Sequence, residues 1–401
     1  MSPALIVLVL ALTLGIQPVT TDLYLPALPA ITQGFGAPMS QAQLTLSALL
    51  LAFGISQLIW GPLSDRFGRR PILLFGLATY TLASIASAFS PSMEWLITWR
   101  VVQGATMGAV VMCARAIVRD LYSPLEGARV MSKGLSGLAV LACLSPSIGG
   151  LSTDLFGWRA ALVAVAVFGA CTLILITLRF QETVQRKNPA ALQPATLART
   201  WQHILRNRTF LAFSALLAAS YGGLFTFLAT SSFVFIGVHG LSKTQYGLVM
   251  FTMSLCYLGG TFLCRRLLPR FGVRRSVALA GVVTVTAGTL MGAMAAAGVQ
   301  SMWAIVLPQW LFMVAHGVHQ PCGQSGAVGP FPESAGAASA LNGFFMMVVA
   351  FAMGGFLGSH MDGTSRPLTY AIWFWSVLVA IIAWSVVRKF GDPRPEAVAG
   401  A

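Results

Sequence analysis

Charge is scarce in this sequence. Of 401 residues, 25 are Lys or Arg and 11 are Asp or Glu, so 9% carry charge, against about 25% in an ordinary soluble domain. That scarcity excludes a disordered chain and a soluble enzyme with a charged exterior. No CxxC pair, GxSxG element or HExxH element occurs. Neither a zinc knuckle, a serine-nucleophile elbow nor a zinc-protease site is therefore indicated. All six cysteines (Cys113, Cys143, Cys171, Cys256, Cys264 and Cys322) fall within or at the ends of apolar runs and read as buried free thiols. A net charge of +14 is the kind of balance found in nucleic-acid binders, but 56% of the residues are apolar, and no nucleic-acid partner is expected.

Long apolar runs are what the sequence has instead. They cover residues 4–31, 41–62, 71–90, 94–117, 131–150, 158–178, 210–237, 245–264, 276–297, 301–324, 335–358 and 370–387. A helix of about 20 residues crosses a hydrocarbon core of about 30 Å. The pattern predicts an all-α polytopic membrane protein with twelve transmembrane helices. The first run lacks a basic leader and continues through Asp22 without a small-residue cleavage site, so it is read as a retained span.

The basic residues predict orientation. With the N-terminus cytoplasmic, 20 of the 25 Lys and Arg residues fall in inner loops and the tail, including Arg186, Lys187 and Arg394. Only Arg159, Lys243 and Arg366 fall in outer loops. Both termini are expected in the cytoplasm, with anionic lipid headgroups as partners of the basic face.

Residues 179–209 break the rhythm, being polar, basic and interrupted by Pro189 and Pro194, with six runs on either side. This divides the chain into an N-terminal bundle (1–178), a cytoplasmic central loop (179–209), a C-terminal bundle (210–388) and a tail (389–401). Arg66-Phe67-Gly68-Arg69-Arg70 is echoed 204 residues later by Arg270-Phe271-Gly272-Val273-Arg274. Such internal repeats are a transporter design, with the substrate site near the midplane. Glycines at small-xxx-small spacing, Gly104 with Gly108 and Gly354 with Gly358, permit close helix approach.

Ionisable residues inside spans are costly and mark function. Asp22, in Thr20-Thr21-Asp22-Leu23-Tyr24-Leu25-Pro26, is the only carboxylate well inside any span. Arg100 lies about two turns into span four from the same side, and Gln103 shares its helical face. A carboxylate between desolvation and a nearby cation can exchange a proton; it can equally cap a helix or form an Asp22–Arg100 pair that holds the bundle. His316 and His319, spaced i,i+3 with Cys322 nearby, suggest a metal site, but a closed zinc site needs about four ligands and this span has no carboxylate. They are read as cavity-lining or packing residues, with no metal expected. Tyr221, Phe225 and Met250 could line a pliant apolar cavity or simply pack.

The loop Gly61-Pro62-Leu63-Ser64-Asp65-Arg66-Phe67-Gly68-Arg69-Arg70-Pro71 closely resembles the GxxxDRxGRR motif of the major facilitator superfamily. The resemblance implies two pseudo-symmetric six-helix bundles. It also implies a cytoplasmic latch, with Asp65 accepting from a helix N-terminus and Asp120 pairing with Arg69. Arg100-Val101-Val102-Gln103-Gly104 resembles the RxxQG motif of the twelve-span drug:proton antiporter branch, and Asp22 to Pro29 resembles its span-one motif. Ser145-Pro146-Ser147-Ile148-Gly149-Gly150 resembles its GPxxGG element, with Ser145 where the family has Gly. With Ala114 to Asp120 and Phe331-Pro332, the pattern is most similar to the bicyclomycin/chloramphenicol-resistance (Bcr/CflA) subfamily. In the second half Pro269 stands where Asp65 stands in the first, so only one latch is fully equipped.

This resemblance implies a secondary transporter, not an enzyme. It would export small amphipathic compounds by alternating access against inward proton flow, with the proton gradient as energy source and no cofactor. The expected setting is a bacterial-type inner membrane, multi-pass and monomeric. A proton symporter, an exporter of an endogenous siderophore or nucleoside, and more remotely an intramembrane enzyme or receptor remain as alternatives.

Overall fold

The computed structural model describes residues 1–122, 124–184 and 192–391. Arg186, Lys187, Arg394 and most of the expected tail lie outside them. The described elements are helical. Ten helices are long and apolar enough to cross a membrane. One of these, Lys243–Ala296, is broken after Pro269 at Gly272 (φ 68°, ψ 177°) and so supplies two of the expected runs. The run 301–324 forms a further helix, Trp303–Val328, more polar than the ten because it carries Gln309, His316, His319, Gln320 and Gln324. Each of the expected apolar runs is therefore largely helical.

The chain divides into two compact units. The first comprises Met1–Gln193 with Leu241–Phe251. Its helices are α1 (Pro3–Asp22), α2 (Leu28–Phe35), α3 (Met39–Phe67), α4 (Arg69–Ala88), α5 (Met93–Leu121), α6 (Pro124–Phe156) and α7 (Trp158–Arg179). The Ser2 side chain caps α1 by accepting from the Leu5 amide, and Ser92 does the same for α5 at Trp95, which supplies acceptors to otherwise orphaned N–H groups. α5 packs against α3 and α4, α1 against α6, and α4 against α7. At the α3–α5 crossing a Cβ on Gly104 would overlap the Leu49 carbonyl, and one on Gly108 would overlap the Ser56 hydroxyl.

The first expected span is not continuous. α1 ends at Asp22, a 3-10 turn covers Leu25–Ala27, and α2 begins at Leu28. Pro26 and Pro29 lack the N–H that a continuing helix needs. The break is packed closely: Gly149 on α6 faces the Leu23 carbonyl with no room for a side chain. The first turns of α10 (Lys243–Ala296) also belong to this unit, because Gly150 on α6 lies against the Lys243 carbonyl and Gly247 against that of Pro146.

The second unit comprises Pro194–Gly240 and Thr252–Ala401. It contains α8 (Pro194–Arg206), α9 (Arg208–Ser232), the remainder of α10, α11 (Trp303–Val328), α12 (Ala335–His360), α13 (Arg366–Ile381) and the short α14 (Arg388–Phe390). α9 is central, packed on α11, α12 and α13. π-helical turns extend α9 over Phe233–Val238 and α13 over Ile382–Val387. The expected central loop contains α8, which places Ile204 in the core and rests on α9 and α12. In both units large apolar side chains such as Phe89, Leu178 and Phe374 are exposed; lipid, in place of water, accommodates such a surface.

Candidate functional site

Three groupings of polar side chains occur in the first unit. The first surrounds the break after α1. The last carbonyls of a helix lack intrahelical donors and carry partial negative charge. Arg100, with none of its surface exposed, meets this end: both Nη1 and Nη2 donate to the Thr20 carbonyl at 3.3 Å. Nη1 also donates to Gln103 Oε1 at 2.7 Å, and Gln103 Nε2 donates to Ser84 Oγ at 2.6 Å. The guanidinium lies 4.2 Å from the centre of the Tyr24 ring, a cation–π contact in a water-poor setting. Tyr24 OH shares a hydrogen bond with Thr45 Oγ1 at 2.8 Å, and Tyr80 OH shares one with Thr20 Oγ1 at 2.5 Å. Arg100, Gln103 and Tyr24 are thus brought together, with Ser84, Thr45 and Tyr80 as partners that no sequence motif identified.

Asp22 stands beside this network. It is half-buried, and its Oδ1 accepts from Thr21 Oγ1 at 2.7 Å. Among the ion pairs of the described residues none joins Asp22 to Arg100. Of the roles open to Arg100, the structure selects capping of a backbone carbonyl. The carboxylate keeps an oxygen at a helix break without a cation bound to it.

The second grouping lies where α3 turns into α4. Gly68 has φ 108°, a value that favours glycine, and a Cβ there would also strike the Glu182 carboxylate. Arg69 is 3% exposed. Its Nη1 meets Asp65 Oδ1 at 2.7 Å, and its Nε meets Asp120 Oδ2 at 2.8 Å. Arg69 Nη1 also donates to Ser64 Oγ, and Thr183 Oγ1 donates to Asp120 Oδ2. The expected Arg69–Asp120 pair is present. Asp65 differs from expectation within this unit: its partners are the Arg69 and Arg119 side chains. The carboxylate at a helix N-terminus is instead Glu182. It accepts from the backbone N–H groups of Arg69 at 2.9 Å, Arg70 at 3.1 Å, Thr183 at 2.9 Å and Val184 at 3.1 Å. Burial disfavours its charge, but the amides of Val184, Arg69, Arg70 and Thr183 together hold its carboxyl below the ordinary glutamate value. Arg70 reaches the Thr177 carbonyl. Arg66 turns away, over the Phe67 ring, and a Cβ on Gly61 would meet Met112 only at ordinary contact distance.

The third grouping is on α6. Ser145 Oγ donates to the Leu141 carbonyl one turn back, at 2.6 Å, so its hydroxyl is satisfied within its own helix. Pro146 lies inside α6, and Gly149 and Gly150 are the points of closest approach to the α1 break and to the start of α10. One turn further, Asp154 Oδ2 accepts from Thr244 N at 2.8 Å and Thr244 Oγ1 at 2.7 Å, and Asp154 Oδ1 lies 3.4 Å from Lys243 Nζ. Asp154 caps a helix from outside it, a role that its position at a span end did not disclose.

In the second unit His316 Nδ1 shares a hydrogen bond with Ser220 Oγ at 2.8 Å and its ring stacks parallel to Phe312. His319 Nε2 bonds Thr284 Oγ1 at 3.1 Å. The two imidazoles therefore face different helices, α9 and the later part of α10. Cys322 faces Cys264. Among the described residues no group of three or more His, Cys, Asp or Glu side chains could hold a metal. Tyr221 and Phe225 are buried in this unit, and Met250 is buried in the segment that belongs to the first.

Comparison with known proteins matches residues 10–242 to the model of the Major Facilitator Superfamily. The chain is 26% identical over 379 residues to the "Bicyclomycin resistance protein homolog" of Haemophilus influenzae, covering 93% of this chain and 94% of that protein. It is 28% identical to "Multidrug resistance protein D" of Escherichia coli, covering 84% of each. It is 29% identical to the "Chloramphenicol resistance protein" of Pseudomonas aeruginosa, covering 91% of this chain and 84% of that one. Among solved structures, the xylose transporter XylE from E. coli in a partially occluded inward open conformation superposes with a TM-score of 0.75 at 13% identity, covering 98% of this chain and 100% of that one. The human organic anion transporter MFSD10 superposes at 0.69 with 21% identity, covering 96% and 100%. These two likenesses bear on the fold.

Proposed function

Since this chain belongs to the major facilitator superfamily, and is therefore a transporter and not an enzyme, we propose that it exports small amphipathic compounds in exchange for protons. The observation that carries the coupling is the separation of Asp22 from Arg100. The arginine is occupied by the Thr20 carbonyl, Gln103 and the Tyr24 ring, while among the described residues the donor to Asp22 is the neutral hydroxyl of Thr21. A carboxylate placed at a helix break inside a span, with no bound cation to fix its charge, can take up and release a proton during each cycle. Substrate class follows from the resistance proteins to which the chain is similar over most of its length.

In this reading alternating access carries substrate outward and the proton inward, and no cofactor is needed. Asp65, Arg69 and Asp120 hold the cytoplasmic turn between α3 and α4. The protein works as a monomer in a bacterial inner membrane with both termini in the cytoplasm, its basic inner face against anionic lipid headgroups.

The test is a panel of amphipathic antibiotics in proteoliposomes with an imposed pH gradient. Uphill drug movement opposite to proton flow is expected for the wild-type protein, together with proton release on drug binding. Asp22→Asn is expected to abolish both while leaving downhill movement. Drug moving with the protons would establish symport; equal proton release by Asp22→Asn would remove Asp22 from the coupling step.

A further inference from the structure

Two sulfurs meet where α10 and α11 cross. Cys264 Sγ and Cys322 Sγ lie 3.6 Å apart and both residues are buried. The backbone sets this approach. A Cβ on Gly260 would overlap the Val314 carbonyl, and one on Gly317 would overlap that of Tyr257. The glycines thus bring the two helices together with no side chain between them, as small residues do in membranes. The cysteines follow four residues later on α10 and five later on α11, directed at each other. No further ligand completes a metal site among the described residues. Cys264 immediately precedes the exposed Arg265 and Arg266, so the pair lies near the polar end of this part of α10.

We propose that Cys264 and Cys322 are a reversible modification site, a dithiol that a small disulfide oxidant converts to a disulfide joining α10 to α11. A disulfide needs sulfurs about 2.05 Å apart, about 1.5 Å closer than the two sulfurs lie in the dithiol. One cysteine loses its proton and its thiolate attacks the oxidant, releasing one small thiol and leaving a mixed disulfide. The thiolate of the second cysteine then displaces the other small thiol. Two protein thiols become one disulfide, and the two electrons leave in the two small thiols. In a reducing cytoplasm the resting state is the dithiol. The bridge fixes the α10–α11 crossing and stops transport; this consequence rests on the transport reading above, whereas the bridge itself does not.

The purified full-length protein is treated with 2,2′-dithiodipyridine and cleaved with cyanogen bromide. Cleavage after Met253, Met291, Met313 and Met346 separates fragment 254–291, carrying Cys264, from fragment 314–346, carrying Cys322. The expected result is that the two fragments run as one without reductant and as two with dithiothreitol. Cys264→Ser and Cys322→Ser should abolish the joined species, and Cys256→Ser should retain it. Fragments that stay apart after oxidation of the wild-type protein, or a bridge that needs Cys256, would overturn the site. In proteoliposomes oxidation should stop wild-type transport reversibly and leave Cys264→Ser transport intact. A bridged wild-type protein that transports at full rate would overturn the control function while leaving the site standing.

Discussion

Glu182 holds the amide of Arg69 across 113 positions of sequence: its Oε1 accepts that N–H at 2.9 Å, and its Oε2 accepts the next, from Arg70, at 3.1 Å. A residue three positions past the end of α7 therefore caps the first turn of α4. A carboxylate at this position interacts favourably with the positive end of the helix dipole. A Cβ at position 68, where φ already favours glycine, would displace this carboxylate.

A pH dependence follows from that contact. The folded-state pKa of Glu182 is lowered, so its stabilising contribution is complete above the ordinary glutamate value of about 4.3 and is lost as pH falls through the lowered folded value. Solvent screening limits the effect to about 1 kcal/mol. Thermal unfolding of Glu182→Gln should show a deficit relative to wild type at pH 7 that disappears as the pH is lowered toward 3. A deficit of constant size across that range would assign the effect to shape and not to charge.

Asp65 and Asp120 both neutralise Arg69 but are not equivalent. The Asp120 side chain is 15% exposed and that of Asp65 is 38% exposed. Removing the more buried partner leaves the greater uncompensated charge, so Asp120→Asn should cost about 3 kcal/mol and Asp65→Asn about 1 kcal/mol or less. Asp65→Asn should give folded protein with strongly reduced transport. Detergent-solubilised melting curves and transport normalised to the amount of protein check the two halves of this expectation; normal transport by Asp65→Asn would make the turn a topology signal alone.

Arg100→Lys should fold and transport poorly. An ammonium cannot reproduce the guanidinium fork that reaches the Thr20 carbonyl and Gln103 together, although it can still lie over the Tyr24 ring. Arg100→Ala leaves the Thr20 carbonyl and Gln103 without their donor in a buried place, with a stability loss of about 1.5–3 kcal/mol and a larger transport defect. Melting temperature and transport rate in the two variants give the order; unimpaired transport by Arg100→Ala would exclude this network from the mechanism.

For orientation, a single cysteine at position 190 in a cysteine-free background should react with an impermeant maleimide only when the cytoplasmic side is open. Labelling in intact cells would invert the topology.

The long helices were legible because apolar runs of spanning length have few other uses. The break after Asp22 was not read from the sequence, because the run 4–31 stays apolar and hydropathy carries straight across Pro26 and Pro29. Gly149 and Gly150 were visible as an element, whereas what they approach, the Leu23 and Lys243 carbonyls, could not be: backbone atoms leave no signature in composition. Glu182 and Asp154 were hidden for the same reason, since each accepts from a backbone amide far away in sequence. Arg69–Asp120 was accessible only through the motif. His316 and His319, close in sequence, read as one cluster; three residues turn a helix through about 300°, and their hydrogen bonds go to Ser220 and Thr284 on separate helices.

The polarity of α11 bears on how the protein is made. Among the described residues, both amide atoms of the buried Gln309 and the Nδ1 atom of His319 have no hydrogen-bond partner, and such groups oppose transfer from the insertion machinery into lipid. Alone, this helix has little reason to leave an aqueous channel. Neighbours that bury its polar face lower that cost, so the entry of this helix into the bilayer is expected to be assisted by the helices it packs on, α9 among them.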